Sequence, residues 1–462
     1  MFIGRKTELD DLNRRYKGDG FEFAIIYGRR RIGKTTMISE FIEGKKSVYY
    51  MSTEENAASQ LQECSRAVLG AFGNASATFS SWEGLFDYVT DIAEKQRFIF
   101  VIDEYPYLAG KYHEISSILQ KYIDGKWKNT QLFLILCGSS MSFMEKQVLG
   151  YESPLYGRRT CQYKLMPLYY YESLQFFSGW TDEEKLLAYG ICGGVPQYLS
   201  FFSKYNCLRD AVIYEFMSSG GHLREEPQNL LKQELRDPSA YYDILSAIAS
   251  GANRQNEIAD KTGKSRNMLS GYLVNLVSLG IIEKIHPAGE SSSKKIRYTL
   301  CDNLYRFYFR FIPSSLSLIE LGMGERVYDT VIFPLMADYF GHIFEEVCLQ
   351  YIEVLMKKGE IAELYTEFGK WWGNDPFRKE QTDIDVVCMN SSDILVGECK
   401  WKTDAVTMDI FEELRHRASI ISDGRKTHYA LFSKSGFTNT VKEKAEDCLL
   451  VDLKEIAGLY ET

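Results

Sequence analysis

The feature that most constrains the fold is a glycine-rich loop between an apolar run and an amphipathic run, FEFAIIYGRRRIGKTTMISEFI, residues 21–42. The loop fits the pattern G-x-x-x-x-G-K-[ST], and its flanks predict a buried strand and a helix. Backbone N–H groups of such a loop hold phosphates, helped by the N-terminus of the helix. Lys34 is expected to reach the β- and γ-phosphates and Thr35 to bind Mg²⁺. The residues expected to surround the nucleotide are Gly28, Arg29, Arg30, Arg31, Ile32, Gly33, Lys34, Thr35 and Thr36.

Two further apolar runs end in polar residues. RFIFVIDEYPYL shows no alternation up to Asp103 and Glu104, which is typical of a strand buried on both faces of a parallel sheet. Ligands bind at the carboxyl ends of such strands. We therefore expect Asp103 to hold Mg²⁺ through water and Glu104 to activate the water that attacks ATP. QLFLILCGSS ends in Ser139 and Ser140. One of these hydroxyls either senses the γ-phosphate or the attacking water, or caps the following helix.

Composition restricts the remaining possibilities. The chain has 462 residues, enough for about two to four domains. The net charge of −9 argues against a nucleic-acid binder that uses its whole surface, but it leaves room for a local basic face. The ten cysteines form no CxxC pair, which predicts reduced thiols in a cytoplasmic protein rather than a disulfide framework or zinc site. Because no run reaches the about 20 apolar residues of a membrane span, we expect no membrane partner.

Six stretches in the first half of the chain resemble the archaeal-type ATPases, members of the AAA+/STAND-like group of P-loop NTPases. In order they are FIGRKTEL, GRRRIGKT, VIDEYPYL, LCGSS, SPLYGRRT and GGVPQYL. The resemblance implies that FIGRKTEL lies by the adenine and that Pro196 starts a lid helix against the nucleotide. It also implies that Arg158 or Arg159 contacts the γ-phosphate, from the same chain or from the neighbouring subunit of a homo-oligomer. The alternative for these arginines is a solvated basic turn. We place the ATPase with its helical lid at residues 1–235.

Residues 236–315 have the element order of a winged helix-turn-helix. Asp237-Pro238 breaks the preceding helical pattern, and three predicted helices are followed by the strands IIEKIHP and KKIRYTL around a polar tip. The third helix of such a domain can enter the DNA major groove, and its hairpin can touch phosphate. The alternative is an internal packing module. The residues expected to face DNA are Lys261, Lys264, Arg266, Asn267, Lys294, Lys295 and Arg297.

Near the C-terminus, QTDIDVVCMNSSDILVGECKW reads as two strands joined by a polar turn. Alternate residues of a strand share a face, so Glu398 and Lys400 point together and Asp385 on the adjacent strand can meet them. Two such carboxylates can hold Mg²⁺ or Mn²⁺ against a scissile phosphate, and the lysine can position or deprotonate the water. Residues 325–462 resemble the C-terminal extension of the same ATPases, which is similar to the PD-(D/E)xK nuclease fold.

The helix DYFGHIFEEVCLQYIEVL, residues 338–355, offers a further acid. At about 100° per residue, Glu345 falls inside the apolar arc and Glu346 on the wet face. A buried acid is costly without a partner, and a metal is one possible partner, so we expect Glu345 to join the metal ligands. The alternative is an ion pair with Lys400 or an arginine.

Three departures weaken the nuclease resemblance. No proline precedes the first acid, Asp383 competes with Asp385 for the same role, and no glutamine stands out in the next helix, AVTMDIFEELRHRASII. The hairpin also fits a relic or a structural ion pair.

Together these patterns predict an α/β protein in three parts: a P-loop NTPase with a parallel sheet and helical lid, a winged helix-turn-helix, and a restriction-endonuclease-like α/β domain. The predicted function is ATP hydrolysis linked to action on DNA, with a metal-dependent nuclease-like end. The alternative is an NTP-driven switch or regulator that binds DNA or a protein without cutting.

Overall fold

The computed structural model describes residues 2–73, 78–290 and 295–459. It forms two compact units. The N-terminal unit comprises Met1–Leu168 with Val195–Gln197, and the C-terminal unit comprises Tyr169–Gly194 with Tyr198–Thr462. This division differs from the expected boundary at residue 235. The helix Asp182–Cys192, which we expected in the ATPase lid, groups with the C-terminal unit because it packs against helices of that unit.

The N-terminal unit is a parallel sheet covered by helices. Its strands run in the order β2-β3-β4-β1-β5, and every neighbouring pair is parallel. The strands are β1 Glu22–Tyr27, β2 Ser47–Met51, β3 Phe98–Asp103, β4 Leu132–Gly138 and β5 Cys161–Lys164. The helices are α1 Lys6–Tyr16, α2 Lys34–Ile42, α3 Ala57–Ala71, α4 Trp82–Ala93, α5 Tyr105–Lys111, α6 Ile115–Gly125 and α7 Met141–Phe143.

Apolar runs explain the central strands of this sheet. All residues of β3 and β4 are buried, as expected for strands with helices on both faces. One face packs on a cluster that includes Phe86, Tyr105 and Trp127, and the other on a cluster with Phe41 and Phe133. Because β1, β3 and β4 are parallel neighbours, their carboxyl ends lie at one edge of the sheet. That edge carries the glycine-rich loop, Asp103-Glu104 and Ser139-Ser140.

The C-terminal unit begins with short helices and continues into three helices and a hairpin, followed by long helices and a second sheet. Its helices are α8 Tyr170–Ser173, α9 Asp182–Cys192, α10 Pro196–Phe202 (which starts in the N-terminal unit), α11 Leu208–Val212, α12 Glu226–Glu234, α13 Pro238–Ala249, α14 Gln255–Thr262, α15 Arg266–Ser278, α16 Asn303–Glu320, α17 Gly324–Val327, α18 Met336–Lys358, α19 Met408–Ile421, α20 Asn439–Lys444 and α21 Leu453–Gly458. Short 3-10 turns span Trp127–Asn129, Leu174–Phe176 and Phe333–Leu335, and π turns span Met144–Val148, Ile213–Met217 and Tyr328–Ile332.

The strands of this unit form a hairpin and a mixed sheet. They are β6 Ile282–Ile285, β7 Arg297–Leu300, β8 Glu367–Asp375, β9 Glu380–Met389, β10 Asp393–Lys400, β11 Lys426–Ser433 and β12 Cys448–Asp452. β6 and β7 pair antiparallel after α13, α14 and α15, which is the element order expected for residues 236–315. The tip of the hairpin, including Lys294, lies outside the described residues.

The mixed sheet has the order β12-β11-β10-β9-β8. β8, β9 and β10 pair antiparallel, whereas β10, β11 and β12 pair parallel. Ile394, Val396 and Leu431 pack with Phe411 and Leu414 of α19. The opposite face meets α18, where the Tyr351 ring lies 6.2 Å from that of Phe432. In the described ranges of the chain, no helix is both long and apolar enough to cross a bilayer.

Candidate nucleotide and metal sites

The loop after β1 folds tightly around two glycines. A Cβ on Gly28 would lie 2.6 Å from the Leu165 carbonyl oxygen, and Gly33 has a φ of 86° just before α2 begins. The side chain of Lys34 is buried, and its Nζ donates 3.0 Å hydrogen bonds to the carbonyls of Gly28 and Arg29. Burial lowers the pKa of Lys34. The loop therefore holds a desolvated ammonium group at its centre, where an anionic phosphate would be its natural counter-charge.

Thr35 and Asp103 meet at the start of α2. Thr35 Oγ1 donates to Asp103 Oδ2 at 3.0 Å, and the Tyr49 hydroxyl on β2 donates to the same oxygen. The other oxygen, Asp103 Oδ1, accepts from the Glu104 N–H at 2.8 Å. Both oxygens of Asp103 are thus held by hydrogen bonds, and one of them lies beside the Thr35 hydroxyl. This pair of hard oxygen donors at a phosphate loop fits Mg²⁺.

Glu104 is held in an unusual backbone conformation. Its φ is 49°, a left-handed value that costs a non-glycine residue energy and is found mostly at functional sites. Its Oε2 accepts from the Ser139 N–H at 3.2 Å and from Ser139 Oγ at 2.8 Å. Ser139 therefore orients Glu104. Ser140 precedes α7, but in the described part of the chain its side chain makes no capping bond to that helix.

The remaining residues expected at the nucleotide site occupy varied positions. Ile32 is fully buried, Thr36 is exposed, and Arg30 Nη2 donates to the Tyr107 hydroxyl at 3.1 Å. Arg31 has a φ of 69°. Helix α10 begins at Pro196, and a Cβ on Gly33 would lie 3.6 Å from Pro196 Cγ. The predicted lid helix thus starts against the loop.

Arg158 forms an ion pair with Asp124 in the same chain. Its Nε and Nη2 donate to Asp124 Oδ2 at 2.9 and 2.7 Å, and Nη1 donates to the Pro154 carbonyl. These bonds tie the segment before β5 to the end of α6. Arg159 is half-buried and lines a surface pocket with Tyr156.

The second predicted site lies where β9 and β10 stop pairing. The ladder of these strands ends at the pair Gly397 and Val386. Beyond it, Asp385 Oδ2 accepts from the Cys399 N–H at 2.9 Å. Glu398 is buried, and its two oxygens meet Lys400 Nζ and, at 3.3 Å, Arg417 Nη1 of α19. Asp385, Glu398 and Lys400 thus share one place at the end of the hairpin.

The charge of Glu345 on α18 acts on Asp385 at the end of the β9–β10 hairpin. Burial, followed by the charges of Glu398 and Glu345, raises the pKa of Asp385 to about 7. Burial also acts to raise the pKa of Glu345, but His342 and Lys370 outweigh it and lower that pKa. Glu345 contacts Lys370 Nζ and, at 3.2 Å, His342 Nδ1. A partner for Glu345 was expected, but it is Lys370 with His342 rather than Lys400 or an arginine.

The carboxylates are nevertheless not closed around a single point. Within residues 2–73, 78–290 and 295–459, Glu345, Asp385 and Glu398 do not offer three oxygens all within 4.8 Å of one another. The cations explain the spacing, because Lys370 draws Glu345 away while Lys400 and Arg417 hold Glu398. The expected convergence within a few ångströms is therefore not seen in the protein alone. The expected raised pKa and the use of Lys400 as counter-charge are both present.

Neighbouring residues refine the expectations for this site. Asp383 is exposed, so Asp385 is the acid that reaches Glu398. Glu346, expected on the wet face, forms an ion pair with Arg306. Arg417 lies in the helix where a glutamine was sought, and it donates to both Glu398 and the Asp383 carbonyl.

Three residues of the two sites escaped the sequence analysis. Tyr49, Lys370 and Arg417 belong to no motif, and only tertiary packing brings them to Asp103, Glu345 and Glu398. One local signal was readable, because His342 and Glu345 are three residues apart and therefore neighbours on a helix.

Comparison with known proteins assigns the two ends of the chain to two different families. Residues 2–202 match a family described as an ATPase domain predominantly from Archaea. Residues 308–413 match a family described as "Archaea bacterial proteins of unknown function". An uncharacterised protein of Methanocaldococcus jannaschii is 33% identical over 465 aligned residues, which cover 99% of this chain and all of that protein. An uncharacterised ATP-binding protein of the same organism is 48% identical over 46 residues, 10% of this chain and 78% of that protein.

Two solved structures are similar to part of the chain. The Walker-type ATPase PABY2304 of Pyrococcus abyssi is 20% identical, with a TM-score of 0.49, and the match covers 67% of this chain and 96% of that one. The ORC2 protein of Aeropyrum pernix is 13% identical, with a TM-score of 0.43, and the match covers 69% and 94% of the two chains.

Proposed function

Because the chain belongs to the family of ATPase-domain proteins found predominantly in Archaea, we propose that its ATPase unit controls a divalent-metal site that acts on DNA. The N-terminal unit is a P-loop ATPase domain, and its fold implies a bound nucleotide with Mg²⁺. The observation that carries the rest is the meeting of Asp385, Glu398 and Lys400 with the charge of Glu345 at one end of a hairpin.

In the ATPase unit, each side chain has a role that follows from its contacts. Lys34 would bind the β- and γ-phosphates of the nucleotide, and Thr35 with Asp103 would hold Mg²⁺. Glu104 accepts the proton of the attacking water. Ser139 keeps the Glu104 carboxylate in place through two hydrogen bonds, and Tyr49 does the same for Asp103.

In the C-terminal unit, Glu345, Asp385 and Glu398 would hold Mg²⁺ or Mn²⁺, and the ion would stabilise charge on a scissile phosphate. Without the ion, Lys370, Lys400 and Arg417 neutralise the acids. With the ion bound, Lys400 would no longer be needed as the counter-charge of Glu398 and could position the water or take its proton. Arg417, which contacts Glu398 in the metal-free protein, would then be available to bind the phosphate.

The second candidate is a switch that binds DNA or a protein partner without cutting. It is favoured by the ion pairs already made by Glu345 and Glu398, because a carboxylate satisfied by a cation needs no metal. The two candidates differ in one physical property: only the first requires the cluster to prefer Mg²⁺ over its own lysines.

DNA contact is proposed for α15 and the residues before it. Arg266 and Asn267 are exposed at the first turn of α15, and Lys264 precedes them, 5.8 Å from the Tyr272 ring. This is the edge that a recognition helix presents to the major groove. Arg297 is left out of this proposed surface because its guanidinium already lies over the Trp372 ring at 4.6 Å. Lys295 forms an ion pair with Glu290. We therefore assign the β6–β7 hairpin a smaller share of the DNA contact than its sequence suggested.

Magnesium binding tests the proposal. Nucleotide-free protein is melted with increasing Mg²⁺, in the wild type, in Asp385→Ala and in the surface control Asp404→Ala. A ligand that binds only the folded state stabilises it by about 2.7 kcal/mol at one hundred times its Kd, so the melting temperature of the C-terminal unit should rise in the wild type and in the control. Asp385→Ala should lose the rise while staying folded. An equal rise in all three proteins would leave the switch as the better description.

A further inference from the structure

A second group of metal-binding residues lies at the far end of the same sheet. It consists of Glu363, in the segment before β8, Asp393, the first residue of β10, and His428 on β11; we call it the distal triad. All three are partly buried, and one ligand atom of each lies within 4.8 Å of the other two. Asp393 and Lys400 stand at opposite ends of β10, which at about 3.3 Å per residue separates them by roughly 23 Å. The distal triad is therefore independent of the hairpin site.

The distances within the distal triad suit a shared cation better than a hydrogen bond. His428 Nε2 lies 3.3 Å from Asp393 Oδ1 and 3.5 Å from Glu363 Oε1. One ring nitrogen carries at most one hydrogen, so it cannot donate to both acids, and both distances exceed the usual about 2.7–3.2 Å. Ligands of tetrahedral zinc, with bonds of about 2.0–2.2 Å, are themselves about 3.3–3.5 Å apart.

A histidine elsewhere in the unit shows what an ordinary pair looks like. His416 Nε2 lies 2.7 Å from Asp375 Oδ2, the length of a charge-assisted hydrogen bond to one acid. His428 instead stands between two acids at longer range. The geometry of His416 is that of an ion pair, whereas the geometry of His428 is that of a metal ligand.

A buried hydroxyl beside the distal triad is a second, independent observation. Tyr365 is only 4% exposed, and its hydroxyl has no hydrogen-bond partner among the residues that the structure describes. Tyr365 follows Glu363 by two residues, and the charges of Glu363 and Asp393 act on its hydroxyl, which therefore lies near the distal triad. Ser392 Oγ orients the outer oxygen of Asp393, which it contacts at 2.7 Å. A buried hydroxyl usually has a hydrogen-bond partner, and a water bound to a metal ion would supply one here.

We propose that Glu363, Asp393 and His428 Nε2 bind a zinc ion, with a water as fourth ligand hydrogen-bonded to Tyr365. Imidazole with carboxylate oxygens is a normal zinc donor set. The ion would tie the segment between α18 and β8 to the first residues of β10 and to β11. It would thereby brace the sheet that carries Asp385 and Glu398.

Zinc itself is the probe. The full chain is stripped with chelator, loaded with Zn²⁺ and dialysed, and bound zinc is counted; Co²⁺ loading reports the geometry through its visible absorption. The wild type should retain one equivalent and show the spectrum of a tetrahedral site. Glu363→Gln and His428→Asn should each lose that equivalent or weaken its Kd by at least about tenfold.

Two matched variants control the test. His416→Asn removes a histidine that is paired with an acid, and Asp385→Asn alters the hairpin site, so both should keep the zinc. Glu363 stands outside any helix or strand, so its near-isosteric variant reports on zinc even if His428→Asn fails to fold. Full zinc retention in Glu363→Gln, or equal loss in His416→Asn, would overturn the proposal.

Discussion

Asp385 stabilises the metal-free protein less at neutral pH and above than it does at acidic pH. Its pKa is about 7 in the folded protein and 3.8 for an unperturbed aspartate. Between these values the folded state keeps a proton that the unfolded state has released, so the free energy of unfolding falls as pH rises from about 4 to about 7 and levels off above. The unfavourable charge is the same property that would favour a divalent cation.

Asp385→Asn should therefore flatten this part of the pH profile. Above pH of about 7, the variant should be more stable than the wild type in chelator, by about 2 to 4 kcal/mol, because Asn remains neutral beside Glu398 and Glu345. Urea unfolding across pH, followed by tryptophan fluorescence, measures the effect. Trp401 is buried close to the site. A variant with the wild-type slope would mean that Asp385 is ionised normally in the folded protein.

Residues in local motifs could be predicted from the sequence. Gly28, Lys34 and Thr35 follow from a fixed spacing, and Asp103 follows from the end of an apolar run. Arg417 could not be predicted, because its contact with Glu398 depends on how α19 packs across β10. The same limit applies to the other tertiary partners of the acids.

At the scale of elements, the order of helices and strands was readable and their grouping was not. Alternation and apolar runs predicted β1, β3, β9 and β10, because burial on one or both faces leaves a pattern in the chain. The sequence of helix α9 does not indicate which other helices it packs against. It groups with the C-terminal unit because its apolar residues pack against α16, α18 and α21. In the same way, nothing local revealed that Arg297 of β7 stacks on Trp372 of β8.

Helix α15 provides a prediction at this scale. Replacing Lys264 and Arg266 together with alanine should weaken DNA binding and reduce the slope of log K against log salt by about 1 to 2, because each lost phosphate contact releases about 0.9 fewer counterions. Affinity measured at several salt concentrations gives both quantities. A double variant of Lys442 and Lys444, exposed on α20, removes the same charge and should leave the slope unchanged. An unaltered slope in the α15 variant would make this helix part of a packing module.

At the scale of the whole molecule, the proposed function joins two kinds of phosphate chemistry in one chain. The N-terminal unit has the glycine-rich loop, the hydrogen-bonded pair Thr35 and Asp103, and an oriented Glu104. The C-terminal unit has the carboxylate cluster at the end of the β9–β10 hairpin. We expect the two to be separable by mutation, since each unit has its own core. Glu104→Gln should keep ATP bound but slow hydrolysis by about 10² or more, without altering metal binding at Asp385.

The most direct test is the rate of Mn²⁺- or Mg²⁺-dependent DNA cleavage by the full chain, with and without ATP. We expect the wild type to cleave and its rate to change when ATP is added. Glu398→Gln should abolish cleavage while hydrolysing ATP at the wild-type rate, and Lys34→Ala should cleave without responding to ATP. Metal-dependent cleavage that persists unchanged in Glu398→Gln, or no cleavage of any DNA form by the wild type, would contradict a metal-dependent nuclease site under ATP control.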